Sequence, residues 1–211
     1  MMLKRLLQLY VGLVLYGLSC ALYMHCGLGA DPWDVFHLGV AKVLSMNVGT
    51  VMIITGALVL VLWIPLRQKP GLGTLSNVVV LGLVVAAALA VMPPLTSLTA
   101  RCLMLAAAIL MNAIATVMYI CAGFGPGPRD GLMTGLHRRT GISLRLIRTL
   151  IEVTVLVVGW SLGGNAGPGT LVYALTIGPL IQFFLPFFRQ NDRSLQVSAP
   201  PVTPTPPEET A

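Results

Sequence analysis

Six apolar runs, at about 6–26, 48–66, 74–94, 102–122, 146–162 and 170–188, divide the chain, with glycine, proline and charge gathered between them. Each is near the ~20 residues that cross ~30 Å of hydrocarbon as a helix. Lipid offers no water to exposed N–H and C=O groups, so runs of this kind must be helical. Lys4 and Arg5 precede the first run, which is too long for a signal-peptide core and has no A-x-A site after it. It is expected to remain as a span. The pattern predicts an all-α membrane protein with six transmembrane helices.

The runs are copies of one another. Residues 27–84 recur at 123–180 without a gap, an offset of 123 − 27 = 96. Gly27, Gly29, Pro32, Asp34 and Gly39 fall on Gly123, Gly125, Pro128, Asp130 and Gly135; Gly71, Gly73, Thr74, Leu75 and Gly82 fall on Gly167, Gly169, Thr170, Leu171 and Gly178. Glycine, proline and aspartate held on one offset mark an internal duplication. Residues 1–97 form one three-span repeat and 98–190 the other. Three is odd, so the second copy enters the membrane upside-down, and the expected architecture is a 3+3 inverted-topology repeat.

Composition and charge sharpen this picture. Of 211 residues 56% are hydrophobic and only 9% charged, far below a soluble domain. The net charge of +6 includes no basic stripe interleaved with aromatics, so nucleic acid is not an expected partner. With a cytoplasmic N-terminus, eleven basic residues (Lys4, Arg5, Arg67, Lys69, Arg129, Arg138, Arg139, Arg145, Arg148, Arg189, Arg193) fall on one side, against Lys42 and Arg101 on the other. That asymmetry puts both termini in the cytoplasm. Residues 191–211, rich in Pro, Thr and Glu, read as a disordered cytoplasmic tail.

Between the first and second spans of each copy lies G-x-G-x-x-P-x-D, whose turns rest on Gly27, Gly29 and Pro32, and on Gly123, Gly125 and Pro128. Short helices are expected at 34–45 and 130–139, too short to span, with Asp34 and Asp130 able to cap them. Such a helix either lies flat in the interface, on an apolar side that includes Trp33, Val35 and Phe36, or dips inward as a re-entrant element. Asn47 and Ser143 read as caps of the next span, and Thr74 and Thr170 as caps after G-L-G and G-P-G.

The candidate ligand, ion or proton-coupling residues are Asp34, Asp130, Arg145, Arg148 and Glu152. The last three share a helix face where the first copy has Gly49, Met52 and Gly56. An intramembrane carboxylate such as Glu152 is expensive, and it is read both as an ion pair with Arg148 and as a binding or coupling group. His37 and His137 read as interfacial polar residues. Cys20, Cys26, Cys102 and Cys121 lack metal-ligand spacing and read as small packing residues, with a Cys26–Cys102 disulfide as a second option.

The stretches GLGADPWDVF and GFGPGPRDGLM, within a match from about Leu6 to Phe188, resemble the YczE/YitT-type family of bacterial integral membrane proteins. The resemblance implies a multi-span protein of the bacterial cytoplasmic membrane and supplies no substrate. Asp31 in one copy is Gly127 in the other, so that second acidic position is not part of the repeat. The function expected is a small permease or exporter for a small molecule or ion. The alternative is a non-transporting scaffold that docks an acidic partner or anionic lipid on the basic loop 129–148. No Ser/His/Asp set or HExxH stands in the sequence, so neither an enzyme nor a cofactor is expected.

Overall fold

Helices stop where the sequence places its glycine-rich breaks. The computed structural model describes residues 2–188, and within them the regular structure is eight helices. These are α1 (Met2–Cys26), α2 (Pro32–Leu44), α3 (Val48–Trp63), α4 (Leu72–Val91), α5 (Leu98–Ala122), α6 (Pro128–Thr140), α7 (Leu144–Ser161) and α8 (Pro168–Phe188). Each of the last four begins 96 residues after its counterpart: 98 − 2, 128 − 32, 144 − 48 and 168 − 72. The breaks share backbone geometry as well. Gly27 and Gly123 have φ of 65° and 71°, and Gly29 and Gly125 have 116° and 113°, values that disfavour any side chain.

Capping follows the sequence at two sites and departs from it at four. Asn47 Oδ1 accepts from Gly49 N at 2.8 Å and Ser143 Oγ from Leu146 N at 3.3 Å, as expected. Asp34 is not the cap of α2. Asp31 is, accepting from Asp34 N at 2.7 Å, because Pro32 must occupy the first helical position. Asp130 is likewise in the first turn of α6, behind a Gly127 cap that has no side chain to offer. Thr74 and Thr170 also sit one turn in, each reaching back to accept from Gly71 N (3.2 Å) or Gly167 N (3.3 Å).

The two halves hold each other by exchanged bonds. α1 and α5 run antiparallel: Arg5 Nε donates to Ala122 O at 3.1 Å, and Arg101 Nε donates to Cys26 O. Each of these bonds is the other shifted by 96. The same holds for Gly73 N on Phe124 O and Gly169 N on Leu28 O, both 2.8 Å. Midway along the seam Asn112 Nδ2 donates to Ser19 Oγ at 2.9 Å. Around this pair α4 packs on α1 and α8 on α5, while α2 packs on α7 and α6 on α3.

One seam is not repeated. α3 lies close on α4 because Gly49 and Gly82 meet backbone to backbone; a Cβ on either would strike the other's carbonyl oxygen. α7 and α8 do not close in this way: Arg145 replaces Gly49, and a Cβ on Gly178 would meet nothing within 4 Å.

Four helices, α1, α4, α5 and α8, are each long and apolar enough to cross a membrane, five spans if α2 and α3, between which the chain turns by 113°, count as one. The six expected spans are not reached by that measure, because α3 has only 16 residues and α7 carries Arg145, Arg148 and Glu152. Cys20, Cys26 and Cys121 are buried, but Cys102 is exposed, and all four are free; the Cys26–Cys102 disulfide is not formed. The tail 191–211 lies outside the described residues.

Candidate functional site

Three motif residues at the start of α2 and two at the start of α6 converge inside the bundle. Proline at the first position of both helices fixes their entry, and acids in a first turn sit favourably at the positive end of the helix dipole. From α6 Arg129 reaches across to α2. Its Nη1 is 3.3 Å from Asp31 Oδ2 and its Nη2 is 3.8 Å from Asp34 Oδ1, while the guanidinium stacks over Trp33 at 4.9 Å from the ring centroid. Trp33 and Arg129 are themselves related by 129 − 33 = 96. The repeat therefore joins two unlike residues at its own equivalent position.

Asp34 is fully buried, and neither of its carboxylate oxygens has a hydrogen bond among the described residues. Its near neighbours are Arg129 and His37, whose Nδ1 is 3.5 Å from Asp34 Oδ1. His37 is thus buried beside an acid and is no interfacial residue, because α2 turns its first two turns inward. His137 is exposed, its Nδ1 at 2.6 Å from Ile142 O. Of the two homes expected for the short helix, α2 combines features of both. It lies across α3, its start is buried, and Val43 and Leu44 at its end are exposed.

Two cavities flank the Trp33–Arg129 pair. The larger, about 130 Å³, lies where α7 and α8 fail to close and is lined by Asp31, Arg148, Glu152 and Tyr173 among others. The smaller, about 90 Å³, includes Met52, Gly56 and Asn77 in its wall. Met52, Gly56 and Asn77 are the 96-residue counterparts of Arg148, Glu152 and Tyr173, so the cavities occupy equivalent places in the two halves. Tyr16, Trp33, Arg129 and Asp130 line both and form the wall between them. Asp130 is exposed and lines both cavities.

The structure thus gathers Asp130, Arg148 and Glu152 of the expected residues, with Arg148 Nε donating to Glu152 Oε1 at 2.9 Å. Arg145 is exposed and lines neither cavity. Asp34 is beside the wall but sealed from both. The turn residues Gly27, Gly29, Pro32, Gly123, Gly125 and Pro128 hold the helix starts in place. Arg129 does not belong to a surface loop; it is the central cation. Sequence reasoning missed Asp31, Trp33, Arg129 and Tyr16. Asp31/Gly127 and Trp33/Arg129 were detectable as the places where the motif stops repeating. Among the described residues no group of three or more His, Cys, Asp or Glu is placed to hold a metal ion.

Residues 3–186 match a family of unknown function, DUF6198. A protein of Haemophilus influenzae is 34% identical over 182 residues, 86% of this chain and 84% of its own length. The Bacillus subtilis membrane protein YczE is 30% identical over 179 residues (84% and 83%). YyaS of the same organism is 24% identical over 185 residues (86% and 92%). No solved structure matches the chain.

Proposed function

The chain belongs to DUF6198 and is an integral membrane protein, and from that premise we propose that it is a small transporter of the bacterial cytoplasmic membrane, built as a 3+3 inverted repeat. The observation that carries this reading is the pair of equivalent cavities on either side of one shared wall. Alternating access needs a site between two half-pathways that are structurally interchangeable, and a duplicated, oppositely inserted unit supplies them. The exchanged bonds of Arg5 and Arg101 support the inverted arrangement, since antiparallel α1 and α5 then relate the halves by a twofold in the membrane plane. The basic asymmetry of the sequence supports cytoplasmic termini.

Topology gives the first test. Reporter tags in the breaks near Gly29 and Gly125 should report from opposite sides of the membrane; the same side for both would end the inverted reading. Flux gives the second. Purified protein in liposomes should carry a solute or leak protons in a way that Glu152→Gln alters, because that change removes a charge from the larger cavity. Flux in no substrate class would sink the transporter.

A scaffold is the second reading, and the observation favouring it is that Arg138, Arg139 and Arg145 are exposed and line neither cavity. Such a surface suits an acidic partner or anionic lipid. Silent liposomes would move the assignment to it.

A further inference from the structure

We propose that Asp130 is the counter-ion for a small organic cation, a primary or quaternary alkylammonium, held against the wall that separates the two cavities. The assignment rests on the transporter reading and names the class of substrate for it.

The charges facing the cavities are nearly all spoken for. Arg129 has Asp31 and Asp34 beside it, and Arg148 has Glu152. Asp130 makes no ion pair among the described residues, although it is the carboxylate that borders both cavities. Its repeat counterpart, Asp34, is sealed away and borders neither. One position of the duplicated motif has therefore stayed structural while the other opens to where a ligand would sit. An anion would have to displace a carboxylate from an arginine; a cation meets a carboxylate on which Arg148 and Arg129 act only from beyond ion-pair distance.

The rest of the lining agrees. Tyr16 and Trp33 face both cavities, with Tyr119 in the smaller and Tyr173 in the larger, and aromatic faces attract an alkylated ammonium. Independently of the charges, Asn77 is buried to 8% exposure, borders the smaller cavity, and its side chain has no hydrogen bond among the described residues. Its amide atoms are open to the cavity rather than sealed, and a ligand or water held there is their natural complement. Volumes of about 130 and 90 Å³ suit a cation of a few carbon atoms.

The test is calorimetric binding of methylammonium and tetramethylammonium to the purified full chain, with acetate and inorganic phosphate as anionic probes. The wild-type protein should bind at least one alkylammonium saturably and neither anion. Asp130→Asn, which keeps shape and loses charge, should weaken that binding about tenfold or more. Asp130→Glu should retain most of it, and Arg145→Gln should leave it unchanged. Alkylammonium binding indifferent to Asp130→Asn, or binding of the anions alone, overturns the assignment, and so does failure of both cations at millimolar concentration. Vesicles that carry another solute while no alkylammonium binds would retain the transporter and remove this substrate class. Binding without flux would do the reverse.

Discussion

Replacing Arg129 with methionine is expected to lower the unfolding free energy by about 3–5 kcal/mol, the usual cost of removing one member of a buried charge pair. The side chain holds two acids from another helix, Asp31 at 3% and Asp34 at 0% exposure, with the guanidinium stacked on Trp33. Methionine fills similar volume, so the loss is of charge and fork geometry and little of packing. Asp31 and Asp34 would then face each other with no cation between them. Arg129→Lys should recover only part, since an ammonium cannot face two carboxylates and lie flat on an indole at once. Adding Asp31→Asn to Arg129→Met should restore part of the stability, because one of the stranded charges goes with it. Thermal melting of the purified protein measures all three, and an unchanged midpoint for Arg129→Met would mean the cluster is not the centre described here.

The second large effect is a contrast between equivalent positions. Gly82→Leu should destabilise by about 1–3 kcal/mol or more, and Gly178→Leu by less than about 0.5 kcal/mol. The two glycines match in the repeat and both lie within helices. A side chain at Gly82 drives into Gly49 and also lies 3.0 Å from Ile53 Cδ1, so α3 must move off α4. The same side chain at Gly178 enters open space. Equal losses from both would mean that α7 and α8 close as α3 and α4 do, and that the larger cavity is not there.

Much of the fold could be read from the chain because its constraints are local. Gly27, Gly29 and Pro32 break and restart a helix by backbone geometry alone, so α2 begins at Pro32, two residues before the position expected, and α6 at Pro128. Asn47 and Ser143 cap by contacts within three residues. The candidate site was legible only in part because it is made between helices distant in sequence. Nothing near Arg129 indicates that it reaches 98 residues back to Asp31. His37 was misplaced for the same reason: apolar neighbours fit a membrane surface as well as a buried first turn. Glu152 and Arg148 were found because their four-residue spacing lies on one helix. Part of the signal lay where the copies disagree, at Asp31/Gly127 and Trp33/Arg129.

The bonds that Arg5 gives to Ala122 and Arg101 to Cys26 have a consequence for the chain's continuity. Each half ends its first helix on a carbonyl that, among the described residues, takes its side-chain hydrogen bond from the other half's arginine. A unit of four helices on its own would leave that end unsealed, and an identical unit lying head-to-tail beside it would seal both. The peptide segment 92–97 that joins the halves is therefore a tether rather than a clamp: were it cut, the interlock between the two pieces would still be complete.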